Sequence, residues 1–437
     1  MDRFDESDAT LLRALKRYPQ LKERIRHLMA VVEDADGDLA QADAAERRVI
    51  EEIRRLGQES LQAWAERQVN QTSLAMMEAG DARRGVKKLC WYSTFGVIEV
   101  DEPVWREGTR TRRCFSLSAQ VTHRCCSQSL QRVITDFGAD VAFRQAAKKL
   151  QEHYGFTLPV ERIRQVVEGH AQTMYEAQVL STDWPQAPGV PWVVAQTDGG
   201  MIPIVTPNAT QADKRRGKSL AWKEAKLCLA HAQVSATPWY GGTLQGGVDE
   251  AGKALFDCAL HAGFGTQTRV HGVGDGATWI ADQIDAQFAQ QGQFLIDFYH
   301  ACDYLAAAAK VCAPDPKVWL SMQKAQLKAN ASDTVLAELA LHGEPETVAD
   351  ADAPVRAAQR YFSNRRHQLD YQGAHEQGLP IGSGEIESAH RYVVQQRLKL
   401  PGAWWRIEQA EAMLALRLNR VNDQWESYWQ DQIQQAA

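Results

Sequence analysis

The sequence predicts an α/β protein: a mixed β-sheet layered with helices, preceded by a mainly helical region and interrupted by a helical insertion. Three observations predict it. Between Trp192 and Phe298, β-period runs alternate with helix-period runs, the signature of a sheet with helices on it. Residues 1–80 carry apolar side chains at helical spacing. Residues 305–378 are Ala-rich and poor in β-formers, so a helical insertion separates the sheet from the C-terminal segment 379–437.

The elements follow in order. Leu11, Leu12, Leu15 and Leu21 recur at helical spacing, and Ala44-Ala-Glu-Arg-Arg-Val-Ile-Glu-Glu-Ile-Arg-Arg-Leu is amphipathic. An apolar face of this kind packs on the body of the protein or on a second copy, so 1–80 is a candidate oligomerisation region. Residues 81–180 begin with Cys90-Trp-Tyr-Ser-Thr-Phe-Gly-Val-Ile-Glu-Val, which alternates around Gly96 and predicts a β-hairpin; Arg110-Thr-Arg does not continue the pattern. Asp140 is placed to cap a helix from Val141 to Tyr154 that ends at Gly155, and Pro159 stands where a second helix begins. That outline is a helix-turn-helix, with Arg162 and Arg164 where base edges are read. Two packed core helices with solvated arginines fit the same residues.

Residues 190–304 hold the strand-like runs Trp192-Val-Val-Ala, Ala225-Lys-Leu-Cys-Leu-Ala, Thr268-Arg-Val-His-Gly-Val and Phe294-Leu-Ile-Asp-Phe, with the helical Trp279-Ile-Ala-Asp-Gln-Ile among them. Lys214, Arg215 and Arg216 form a basic loop between the first two strands.

Composition narrows the class. With 437 residues the chain has room for two or three domains, and 44% hydrophobic and 24% charged residues describe a globular protein rather than a disordered one. No run approaches the roughly 18 apolar residues of a membrane span. The acidic start, Met1-Asp-Arg-Phe-Asp-Glu-Ser-Asp, lacks the apolar stretch of a secretory signal, so a cytoplasmic protein is expected. The eight cysteines include no C-x-x-C pair and are expected as free thiols. A zinc set of Cys90, Cys114, His123 and Cys125 or Cys126 has irregular spacing. Net charge is −6 but uneven: residues 81–175 hold 15 Lys/Arg against 10 Asp/Glu, which fits a local polyanion-binding surface or a solvated face.

Three carboxylates carry the chemistry: Asp198 in Gln196-Thr-Asp198-Gly-Gly, Asp275 in Gly274-Asp275-Gly, and Glu387 in Gly382-Ser-Gly-Glu-Ile-Glu387. Each sits among glycines or apolar residues, two after β-like runs and one opening a helix-like run. Brought together, like charges resist joint ionisation unless a cation neutralises them. Hard divalent ions suit such oxygen ligands, and their natural chemistry is phosphoryl transfer. The order (strand-borne Asp, strand-end Asp, then a Glu on a late helix) resembles the RNase H-like layout.

The resemblance then becomes specific. Trp91-Tyr-Ser-Thr-Phe-Gly96, Thr135-Asp-Phe-Gly-Ala-Asp140, Glu152-His-Tyr-Gly155, Thr197-Asp-Gly-Gly200, Gly274-Asp-Gly-Ala277, Asp297-Phe-Tyr-His300, Gly382-Ser-Gly-Glu-Ile-Glu387-Ser and Arg397-Leu-Lys399 resemble DDE-type insertion-sequence transposases of the ISKra group, relatives of the Mutator-like transposases. The resemblance implies that Asp198, Asp275 and Glu387 are catalytic metal ligands for two Mg²⁺ ions, for which Mn²⁺ substitutes. Such ions stand about 3.5–4 Å apart and support in-line displacement at a phosphodiester. It implies that Asp297 and His300 lie beside the site, contacting DNA or supporting the fold. It selects Glu387 over Glu385, which points elsewhere on a helix.

Implied partners are double-stranded DNA, as terminal repeats and target, and further copies of the chain, with no membrane. Arg391, Arg397 and Lys399 are phosphate candidates beside Glu387. Trp404 and Trp405 either stack on frayed bases or pack a helix on the sheet, packing being favoured. The expected function is a metal-dependent DNA transposase that binds terminal repeats, cleaves and transfers strands. A structure-selective nuclease and a non-catalytic DNA-binding derivative are the rivals.

Overall fold

The computed structural model describes residues 6–33, 41–208 and 217–436, so the basic loop with Lys214, Arg215 and Arg216 lies outside the described residues. The chain forms two compact units. One takes the chain up to Gly138 with Phe143–Val166; the other takes Ala139–Ala142 with Val167–Gln435. Among the described residues no helix is long and apolar enough to cross a membrane.

The first unit opens with α1 (Glu6–Arg17), α2 (Pro19–Glu33) and α3 (Ala42–Glu78). Ala65 and Val69 of α3 are buried against Leu89 of β1 (Ala82–Ser93), Ile98 and Val100 of β2 (Gly96–Glu107) and Phe115 of α4 (Cys114–Ser118). Residues on either side of position 80 therefore share one core. The strands β1 and β2 are an antiparallel hairpin closed at Ser93↔Gly96, where Gly96 takes φ +115°, open to glycine. A third strand, β3 (Arg110–Arg113), pairs with the end of β2 where the sequence shows no continuing pattern. Its side chains are mostly exposed, so backbone pairing forms it without an apolar period to read.

Three helices follow: α5 (Gln128–Asp140), α6 (Phe143–Tyr154) and α7 (Val160–Glu176). Gly155, at φ +77°, ends α6, and the Pro159 carbonyl accepts from the N–H groups of Arg162 and Ile163 to open α7, both at the expected places. Asp140 differs from expectation. It closes α5, α6 begins three residues later at Phe143, and the Asp140 carboxylate is engaged by Arg417 and Arg420.

In the second unit β4 (Trp192–Pro207), β5 (Lys218–Ala232), β6 (Trp239–Thr243), β7 (Arg269–Gly274) and β8 (Gly292–Ile296) form one mixed sheet in the order β6-β5-β4-β7-β8. Pairing is antiparallel across β6-β5-β4 and parallel across β4-β7-β8. The sequence hides β6 because Gly241-Gly242 reads as a turn. Those glycines permit close packing, since a Cβ on Gly241 would meet Cys258 Sγ at 2.9 Å.

Both faces of the sheet are covered. Val193, Ala195, Cys228 and Ala230 pack on α8 (Val248–His261) and α9 (Thr278–Phe288). Val194 and Ile296 join a second core with α10 (Phe298–Cys312), α11 (Pro316–Lys328), α12 (Ser332–Ala340), α13 (Pro354–Ser363) and α14 (Tyr371–Glu376). Neighbours Val193 and Val194 enter different cores because successive strand side chains point to opposite faces. The C-terminal part is α15 (Gly384–Ala389), a π-helical turn (His390–Gln395), α16 (Gln396–Leu398), α17 (Ile407–Val421) and α18 (Trp425–Ala436).

Candidate active site

Parallel pairing of β4 with β7 ends at Gln196↔Val273, so Asp198, still inside β4, and Asp275, one residue past β7, lie just beyond the same end of that pairing. Glu387, on α15, joins them. With Tyr299, His300 and Asp303 of α10, the three acids line one cleft of about 460 Å³. The Asp198 carboxyl is pushed above its usual range, first by burial and then by the charges of Asp275 and Glu387, against a lowering pull from His390 and the Gly199 N–H. Electrostatically the three acids form one group. A larger depression, about 900 Å³, is lined by Arg356, Arg360 and Arg366, but these already pair with Asp350 and Asp333. Size alone does not mark function here.

Two histidines flank the acids. His300 Nε2 stands 3.6 Å from Glu387 Oε1. His390 is 3% exposed; its Nε2 donates to the Asp198 backbone oxygen at 3.0 Å and stands 3.7 Å from the Asp198 carboxylate. Gly200 makes the room for it, since a Cβ there would meet His390 Nδ1 at 2.7 Å.

The segment carrying Glu387 is pinned before and within α15. Asp297, buried, uses one carboxylate oxygen to accept from the Tyr299 and His300 N–H groups, capping α10. Its other oxygen accepts from the Ser383 N–H and, at 2.7 Å, from Ser383 Oγ. Gln196 then donates to Glu385 Oε2 at 3.0 Å and accepts from the Ile386 N–H at 3.1 Å. His231 Nε2 lies 3.1 Å from the same Glu385 oxygen. This hydrogen bond raises the His231 pKa and lowers that of Glu385. Glu385 is thereby committed to His231 and Gln196, which leaves Glu387 as the glutamate of this run that lines the cleft.

The Asp275 turn is held from the insertion. Asp275 Oδ1 accepts from the Ala277 N–H at 2.9 Å, Tyr361 Oη donates to the Asp275 carbonyl at 3.1 Å, and Arg365 Nη2 donates to the Gly276 carbonyl at 2.8 Å. Gln196, His231, His390, Tyr361 and Arg365 are not among the residues to which the sequence alone gives a role. A signal existed for two of them. Gln196 lies two residues before Asp198, on the same strand face, and His390 lies one helical turn after Glu387.

The basic candidates take different places. Arg164 makes a two-pronged contact with the Glu161 carboxylate, at 2.9 Å through Nε, while Arg162 is half-buried. Arg391 and Lys399 are exposed. Arg397 is not a surface group: it is 1% exposed, with its guanidinium 4.8 Å over the Trp405 ring. Burial lowers its pKa to about 10. The two tryptophans split, Trp405 being buried as the packing expectation has it and Trp404 exposed.

The carboxylate set fits a hard divalent cation by donor chemistry and by the strain of its like charges. The fit lies in charge and chemistry, not in a tight cage: among the described residues no three His, Cys, Asp or Glu side chains are grouped to hold a metal ion. That applies equally to the cysteines around Cys90. All eight are free thiols, Cys114 contacting Ser73 and His123 accepting from the Cys90 N–H. No protein-family model matches the chain, and no curated protein matches it either.

Proposed function

We propose that this chain is a DDE-type DNA transposase that binds the terminal repeats of an insertion sequence and cleaves and transfers DNA strands. One observation carries the reading. Three acids from distant segments meet in one cleft, while the competing Glu385 is tied to His231 and Gln196. The strand order β6-β5-β4-β7-β8, with two acids on adjacent central strands and the third on a late helix, supports an RNase H-like reading of the catalytic unit. Asp198, Asp275 and Glu387 would hold two Mg²⁺ ions, with Mn²⁺ able to substitute. When bound, such ions supply activation of an attacking hydroxyl and charge neutralisation at the leaving oxygen. The protein's share is placement. Asp297, Gln196 and His231 orient the Glu387 helix, His390 steadies Asp198, and the Tyr361–Arg365 pair holds the Asp275 turn.

Double-stranded DNA is the proposed partner, with Arg391 and Lys399 offering charge near the acid helix and Arg162 on α7. Self-association is proposed through α1–α3, which expose Leu11, Leu12, Val32, Leu74 and Met77. The test is incubation of the full chain with DNA bearing the element's own ends and Mg²⁺, scoring cleavage and joining together. Both products should appear, and Asp198→Ala, Asp275→Ala and Glu387→Ala should each abolish them while end binding persists. Cleavage without joining would make the chain a nuclease. Normal cleavage by any of the three variants would overturn the site.

A further inference from the structure

The distal halves of β4 and β5 leave the sheet. β7 pairs with β4 only over Trp192–Gln196, and β6 pairs with β5 only over Lys226–Ala230. Beyond them Gly199–Pro207 and Lys218–Ala225 continue as a two-stranded ribbon. Along it Met201, Leu220 and Trp222 are exposed, Trp222 at 57%. Trp404 is exposed to the same degree and is carried to the ribbon by its neighbour: the Val205 N–H donates to the Trp405 carbonyl at 2.8 Å. Each exposed indole has a lysine over its ring, Lys399 Nζ 5.8 Å from the Trp222 centroid and Lys218 Nζ 5.4 Å from that of Trp404.

Large apolar rings on a solvent-facing ribbon need an occupant. Charge selects it. Lys218 and Lys399 are set against Glu224, which already pairs with Lys226 at 2.9 Å. Flat rings with cations at their faces match a strand whose bases are unpaired: bases stack on the indoles and the lysines move to the phosphates. A duplex hides its base faces and would use the lysines alone. A second copy of the chain would need a matching acidic, apolar face.

We propose that the Trp222–Trp404 face of this ribbon binds single-stranded DNA. The choice of DNA rests on the transposase reading, but the face shares no residue with the lining of the acid cleft and is tested by binding without metal. The full chain is titrated by fluorescence anisotropy, in EDTA, against an oligo(dT) strand of about 15 nucleotides and a blunt duplex of similar length. Trp222→Ala and Trp404→Ala should each weaken strand binding about ten-fold and leave duplex binding unchanged. Lys218→Ala and Lys399→Ala should each flatten the dependence on salt. Failure of wild type to bind the strand, tryptophan variants that bind it as wild type does, or equal losses on strand and duplex would overturn the proposal. So would preference for an RNA strand, or a change in oligomeric state in the tryptophan variants. Loss of cleavage in acid variants that still bind the strand would separate the two sites, and strand binding that survives a failed cleavage assay would leave this proposal standing alone.

Discussion

At the residue scale, the run Glu385-Ile386-Glu387 shows how two like side chains acquire opposite duties. Glu385 completes a pair with His231; Glu387 faces two other acids. Replacing each by Gln should give different phenotypes. Glu387→Gln should abolish Mg²⁺-dependent cleavage with little loss of stability. Glu385→Gln should cost about 1 kcal/mol, a figure kept low because half of its carboxylate is exposed and solvent-screened. The pair also has a pH signature. His231 is raised from 6.5, so its contribution is full below that value and fades as pH climbs through the folded-state pKa. Glu385 is lowered from 4.5, so its contribution is full above that value and fades as pH falls. The melting temperature lost in His231→Gln should therefore peak between about pH 4.5 and 6.5 and shrink on both sides. A loss that is flat with pH would refute the ion pair.

At the element scale, the six-residue π turn after α15 is the feature a straight helix would lack. Its widened backbone presents carbonyls that the i→i−4 ladder does not use, and Arg417 of α17 meets them. The buried guanidinium donates to the Tyr392 carbonyl, to the Val393 carbonyl at 3.3 Å and to the Ala139 carbonyl at 3.2 Å, and it pairs with the Asp140 carboxylate. Arg417 is thus the buttress that holds the turn from which His390 reaches Asp198. Arg417→Ala should cost about 3 kcal/mol in urea denaturation, since it leaves several buried carbonyls without a donor, while Asp140 keeps Arg420 at 3.8 Å. Arg417→Lys should recover little of that, because an ammonium lacks the planar fork that spans separate acceptors. Full recovery by lysine would show that charge, not geometry, is what the turn requires.

At the scale of the whole molecule, two compact units with separate cores should not unfold as one cooperative step. Calorimetry should resolve two transitions. The acids all lie in the second unit, so Mg²⁺ should raise one transition and leave the other in place. Without metal, Asp198→Asn should raise the melting temperature of that transition by a few degrees at neutral pH. The sign follows from the raised carboxyl: its charged form is disfavoured in the fold, so the cost appears as pH rises above the ordinary carboxylate range, and an amide removes it. The same variant should no longer respond to Mg²⁺. A single transition, or a response in both, would refute the division.

How much was legible in the chain follows from what each signal depends on. Period and local chemistry are local, so the α/β class, the helical front end, the hairpin at Gly96, the Gly155 stop and the Pro159 start are all legible in the chain. The three acids are legible too, because each stands among glycines or apolar residues rather than in a charged surface run. What has no local signature went unread: β3, paired by backbone alone, and β6, whose glycines exist to fit Cys258. Arg397 looked like a phosphate ligand because a one-dimensional string does not show Trp405 folding over it. The resemblance selects Glu387 over Glu385, but what holds Glu385 away from the cleft is visible only in three dimensions, because its partners His231 and Gln196 are 154 and 189 residues away along the chain. Long-range hydrogen bonds assign the roles of side chains that local spacing leaves equivalent.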